Sequence, residues 1–161
     1  MSIFPTKILL ATDGSEEATL AAQTAVDIAD KTNSELHVVY VGGLDYGYPN
    51  YDPSYDPSYA VPDYEYMQQI QENLEQEEAR QALDDEVERV EAAGGRVVEA
   101  HLSMGSPDVE IVKLADDIGA GLIIMGSRGL GRIRRALIGS VSDSVVRHAH
   151  CPVLVVREEK V

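Results

Sequence analysis

The chain has 161 residues, with 28 acidic and 13 basic side chains, a formal net charge of -15, 44% apolar residues and no tryptophan. That length suits one domain with a buried core. The single cysteine excludes an intrachain disulfide framework, and the acidity argues against a general nucleic-acid or anionic-membrane binder. No apolar run approaches the ~18 residues of a membrane span. The N-terminal MSIFPTKILLATDG lacks the charged start and long apolar core of a signal peptide. No membrane insertion and a cytoplasmic location are therefore expected.

Lys7–Thr12 (KILLAT) reads as a buried strand that ends in a turn at Asp13-Gly14-Ser15. Ser15 followed by Glu16 and Glu17 is a helix start, and Ala18, Ala21, Ala22, Ala25 and Val26 give a small-residue face to about Lys31. Glu35–Val41 predicts a second strand. Residues 42–66 then carry seven tyrosines, four prolines and a tandem Tyr-Asp-Pro-Ser repeat. That much proline forbids a regular helix or central strand, so a long loop is expected, with the insertion proper at about 42–62. Tyrosine suits interfaces, which makes 42–66 a candidate protein-partner surface or lid.

From about Asp63 to Ala93 the pattern is helical, with Met67, Ile70, Leu74, Leu83, Val87 and Val90 on one face and acids on the other. Gly94-Gly95 ends it. Arg96–Leu102 predicts a third strand. Ser106-Pro107-Asp108 opens a helix that runs to Gly119, with Pro107 suited to its first turn. Leu122–Met125 predicts a fourth strand, 126–139 a glycine-rich segment, Ser140 to about His148 a helix, and Pro152–Val156 a fifth strand. The expected fold is a single α/β domain over 1–161, a parallel sheet covered by helices on both faces.

Ligands of such open sheets bind beyond the carboxyl ends of the strands. The exit of strand four is the richest, reading GSRGLGRIRRALIGSVSDS. Glycines let backbone N–H groups approach an anion, and a helix N-terminus adds unpaired donors and partial positive charge. Ser140 and Ser142 supply hydroxyls; Arg128, Arg132, Arg134 and Arg135 supply charge. Residues 126–147 hold five basic side chains and one acidic, whereas 45–91 hold 14 acidic and two basic. A basic island in an acidic chain points to a phosphate cradle.

The spacing Gly126-x2-Gly129-x9-Gly139-Ser140 resembles the nucleotide-binding signature of the universal stress protein family. The opening KILLATDGSEEA and closing HAHCPVLVVR are similar to that family's first and last strands, so the resemblance covers the chain except 42–66. It implies a five-stranded, doubly wound parallel sheet in the order 3-2-1-4-5. It implies ATP, or another adenine nucleotide, with or without Mg2+. Carried over by residue, Asp13 would hold the ribose hydroxyls, and Val41 would contact adenine through its backbone. Thr12 and Met125 would lie beside the nucleoside. Gly126, Arg128 and Gly129 would line the phosphates from one side, and Gly139, Ser140, Val141 and Ser142 from the helix end. The resemblance also implies a homodimer formed through the last strand, 152–157.

Other chemistries fit less well. A dehydrogenase-type site needs GxGxxG after the first strand, and the Walker A spacing is absent. A phosphoacceptor domain would need an aspartate at the end of strand three, where Ser103 and Met104 stand. His148, His150 and Cys151 suit a helix end and a buried turn better than a metal. His37 and His101, on strands, read as structural. Ser15 and Ser103 lack His–Asp partners. Hydrolysis needs a positioned base and usually a metal, and Asp13 is the one carboxylate expected at the site. At most slow ATPase activity is expected of a nucleotide-dependent binding or signalling protein. The alternatives are a slow nucleotide-hydrolysing or nucleotide-transferring enzyme, or an adaptor acting through the tyrosine-rich loop.

Overall fold

The computed structural model describes residues 2–43, 64–127 and 139–157. Its elements run β1 (Lys7–Thr12), α1 (Glu16–Thr32), β2 (Glu35–Gly42), α2 (Tyr64–Ala92), β3 (Val97–Met104), α3 (Pro107–Ile118), β4 (Leu122–Gly126), α4 (Ser140–His148) and β5 (Val153–Val156). The five strands form one sheet in the order β3-β2-β1-β4-β5, every neighbouring pair parallel. This is the expected architecture and strand order.

Alternation along β1 divides the core into two layers. Ile8 and Leu10 point to one face, where Ala21, Ala22, Ala25 and Val26 of α1 meet Leu83 and Val90 of α2. Leu9 and Ala11 point to the other, packed with Ile111 and Ala115 of α3 and Val145 of α4. Helix α1 can lie close to the sheet because its inward face is mostly alanine. Its start is fixed by Ser15, whose hydroxyl accepts a hydrogen bond from the Ala18 N–H at 3.2 Å. Among the described residues no helix is long and apolar enough to cross a membrane.

Strand β3 reaches two residues further than predicted, because Ser103 and Met104 pair with Val41 and Gly42. The predicted loop is shorter at both ends, with β2 running to Gly42 and α2 starting at Tyr64; residues 44–63 lie outside the described residues. The apolar stripe expected along α2 is divided. Ala79, Leu83 and Val90 are buried, whereas Met67, Ile70 and Leu74 are exposed. The cause is length. Twenty-nine helical residues span ~43 Å at ~1.5 Å each, and eight strand residues only ~26 Å, so the first half of α2 overhangs the sheet.

Candidate functional site

The carboxyl ends of β1 and β4 are neighbours, Ala11 standing opposite Met125 in the parallel register. The chain leaves β1 through a tight turn. Gly14 takes φ 78, a conformation that favours glycine. Its N–H donates to the Thr12 hydroxyl at 3.3 Å, and the Ser15 N–H donates to Asp13 Oδ1 at 2.9 Å. One carboxylate oxygen thus fixes the turn. Asp13 Oδ2 makes no hydrogen bond among the described residues and can accept from a ligand hydroxyl.

The end of β4 faces this turn. A Cβ on Gly126 would stand 3.2 Å from the Glu17 carbonyl carbon, so glycine lets the first turn of α1 cross here. Ser127 is buried and tied three ways. Its N–H donates to the Val156 carbonyl at 2.9 Å, its hydroxyl donates to Glu17 Oε2 at 2.9 Å, and its carbonyl accepts the Gly139 N–H. That last bond joins both ends of the glycine- and arginine-rich segment at one point. The start of α4 is thereby placed against the tip of β4. Ser142 adds a second tie, donating its hydroxyl to the Gly126 carbonyl at 2.7 Å.

This junction unites most of the predicted site. Gly126, Gly139, Ser140, Val141 and Ser142 meet beside the tip of β1. Gly139 is the N-cap residue of α4, and among the described residues no side-chain hydrogen bond caps that end. Among the described residues nothing occupies the first-turn N–H groups, which can meet an anion with the helix dipole behind them. The Ser142 hydroxyl, expected to face the phosphates, is committed to Gly126, and its N–H is what it can offer. Val41, Met125 and Val141 pack into one apolar layer, the kind of surface a purine ring covers. The Thr12 side chain turns to the opposite face, toward α2. Arg128 and Gly129, with Arg132, Arg134 and Arg135, lie outside the described residues.

Asp13 is not the sole carboxylate here. Glu17 accepts from Ser127, and Glu86 of α2 lies beneath Thr12 and Asp13. Glu86 is 2% exposed, in the same stripe as Leu83 and Val90. Its Oε2 accepts from Arg89 Nη1 at 3.0 Å; the same nitrogen donates to the Thr19 hydroxyl at 3.1 Å. Glu86 Oε1 has no hydrogen-bond partner among the described residues. Burial raises the Glu86 pKa above the ordinary value, against the opposing pull of Arg89 and the Thr12 hydroxyl, and the nearby Asp13 charge adds to the rise. The sequence signal for this residue was its position, three after Leu83 and four before Val90, where an apolar side chain belongs.

Helix α4 is steadied from its other side. Asp108 accepts from the Ser106 hydroxyl at 2.6 Å and the Ser144 hydroxyl at 2.7 Å. These two bonds hold its carboxyl below the usual carboxylate range. The late histidines do not converge. His148 Nδ1 contacts the Ser144 carbonyl oxygen at 2.8 Å, and His150 pairs with Asp116 at 3.0 Å. Burial pushes the half-buried Cys151 thiol up in pKa.

The family model of the universal stress protein family matches residues 5–157. A Staphylococcus haemolyticus protein named as a universal stress protein is 37% identical over 155 residues, covering 96% of this chain and 86% of its own. Among solved structures, that of hypothetical protein MJ0577 superposes with TM-score 0.78 at 28% identity, covering 99% of this chain and 100% of its own. A universal stress protein in complex with cAMP shares the fold at TM-score 0.64 and 24% identity, over 94% of this chain and 97% of its own. One from Archaeoglobus fulgidus in complex with dAMP shares it at TM-score 0.58 and 21% identity, over 96% of this chain and 99% of its own.

Proposed function

The chain belongs to the universal stress protein family, and on that premise we propose that it is a cytoplasmic, homodimeric protein that binds ATP, with or without Mg2+. The observation that carries this reading is the junction at Ser127. One hydrogen bond from Gly139 sets a helix N-terminus against the tip of β4, beside the Asp13 carboxylate, and among the described residues neither that helix end nor Asp13 Oδ2 has a side-chain partner. Asp13 Oδ2 accepts from the ribose hydroxyls. Adenine lies on Val41 and Met125, and the phosphates meet the N–H groups at Ser140, Val141 and Ser142. The four arginines of 128–135 complete the charge balance. The cAMP and dAMP complexes show what this fold holds in those proteins; the case for this chain rests on its own residues.

Hydrolysis is slow or nil on this reading. Glu86 is buried, Glu17 holds Ser127, Asp13 is occupied with ribose, and Asp143 in the first turn of α4 is paired with Arg147 at 3.1 Å, so each described carboxylate near the site is already committed. The role is a nucleotide-dependent switch or binding protein.

Heat-denaturing the purified protein and identifying the released nucleotide by mass spectrometry tests the reading, with calorimetry of ATP binding beside it. Gly139→Val should abolish binding by filling the phosphate approach. Its backbone, at φ -69 and ψ 162, suits any residue, so the substitution brings no backbone strain, and circular dichroism checks that the variant is folded. Asp13→Asn keeps the turn's acceptor but loses the charge, and should weaken ATP by about tenfold. No released nucleotide together with no ATP binding would overturn the proposal.

A further inference from the structure

The parallel register of β2 and β3 pairs His37 with Glu99 and Val39 with His101. Alternate strand residues share a face, so Glu35, His37, Glu99 and His101 project from one side at the β3 edge of the sheet. His37 is buried, 3% exposed, beside Leu9 in the register of β1. Glu99 and Glu35 are solvent-exposed, at 64% and 54% of their side chains. The cluster therefore has a fixed, buried floor and an open rim.

Its distances are those of converging ligands. His37 Nδ1 and His101 Nε2 share a hydrogen bond at 3.2 Å, with ring centroids 5.5 Å apart, so an ion would have to take the place of the proton between them. One ring nitrogen of each histidine and a Glu99 carboxylate oxygen all lie within 4.8 Å of one another. A tetrahedral zinc ion with bonds of about 2.0–2.1 Å holds its donors ~3.4 Å apart. The nitrogen pair is close to that separation and needs only a small rotation of the rings as the ion displaces the shared proton. Glu99, whose Oε2 is 3.9 Å from His101 Nε2 at the exposed rim, can close the remaining gap by rotating. The other nitrogen of His37, Nε2, lies 3.4 Å from Glu35 Oε2. A carboxylate on the outer nitrogen of a ligating histidine orients the ring and raises its basicity.

We infer that this edge of the sheet is a divalent-metal site of the zinc type. His37 Nδ1, His101 Nε2 and a Glu99 oxygen are its ligands, and Glu35 orients His37. Two imidazoles and one carboxylate select zinc-like ions over Mg2+ or Ca2+, which take oxygen donors. The fourth position faces solvent and takes water or an exogenous donor. The site stands apart from the nucleotide residues: β2 carries His37 near its start and Val41 near its end. Metal binding is therefore independent of the nucleotide reading.

The test uses the full-length, tag-free protein, stripped with chelator, with Zn2+ titrated in competition with a chromophoric chelator. One equivalent of Zn2+ should bind. His101→Ala and Glu99→Gln should each weaken it tenfold or more, and Glu35→Gln by about tenfold. Substituting the buried His37 endangers folding, so the weight rests on the two more accessible ligands, with circular dichroism confirming that each variant is folded. A triple variant His148→Ala, His150→Ala, Cys151→Ser should bind Zn2+ as the parent does. Absence of stoichiometric binding overturns the site. So does binding that survives both His101→Ala and Glu99→Gln, or that is lost in the triple variant.

Discussion

Glu86 is the residue whose chemistry least fits its surroundings. An ionised carboxyl with one oxygen unpartnered among the described residues is costly to bury, and Arg89 compensates only in part. The folded-state pKa is raised above the unfolded value. Its contribution to stability is thus fully present below the unfolded pKa and is lost as pH rises through the folded one. Glu86→Gln removes that dependence. The melting-temperature difference, variant minus parent, should grow as pH rises from about 4.5, the ordinary glutamate range, to neutral; scanning calorimetry at several pH values reads it directly. A constant difference would mean that Glu86 does not titrate within this range. The residue was missed in the sequence because acids were assigned together to the solvent side of α2. The Asp13 turn was legible because Asp-Gly-Ser after an apolar run has few other uses. The convergence of His37, Glu99 and His101 was not, since it depends on the register between strands 2 and 3, which no local pattern encodes.

The elements differ in how far their environment follows from their own sequence. β1, β2 and β4 are aliphatic runs bounded by glycine or polar residues, and their burial follows from that. Helix α2 misleads, because Met67, Ile70 and Leu74 repeat at helical spacing without a sheet beneath them. Helix length against strand length decides this, and the four-proline segment before it hides where the helix starts. Amides of 65–75 should accordingly exchange with deuterium faster than those of 79–92, which pack on the core; uniform protection along α2 would show that its first half is covered. At the far edge, the carbonyls of Pro152 and Val156 accept from Ile123 and Ser127 on the β4 side. Residues one step away in a strand point their N–H and C=O the opposite way, so Val153 and Val155 present theirs to the free edge. If two copies pair there, Val155→Pro removes one outward donor and leaves the bonds to β4 intact. The variant should sediment as a monomer of 17.5 kDa at concentrations where the parent is a dimer, with an unchanged circular dichroism spectrum.

Across the whole molecule the charge of -15 is a self-repulsion that opposes compaction. Most of it sits in 45–91, with 14 acids against two basic residues. Salt shortens the reach of that repulsion, from ~30 Å at 0.01 M to ~8 Å at 0.15 M. The melting temperature should therefore rise with added KCl over this range; a fall would mean that attractive pairs outweigh the repulsion. The overall layout of sheet and helices was the most legible part of the chain, since strand–helix alternation leaves few topologies. What alternation could not supply was the hydrogen-bonded closure that makes two distant glycines adjacent.

That closure runs through one residue. Ser127 holds β5 by its N–H, α1 by its hydroxyl and the start of α4 by its carbonyl. A ligand that prefers one position of Gly139 therefore prefers one position of the edge strand, because both act on the same buried serine. If α4 holds a ligand and β5 pairs with a second copy, thermodynamic reciprocity applies: whatever factor the ligand exerts on that association, the association exerts on the affinity of the ligand. Three hydrogen bonds to a single residue thus tie the edge strand, the first turn of α1 and the start of α4 to one buried point.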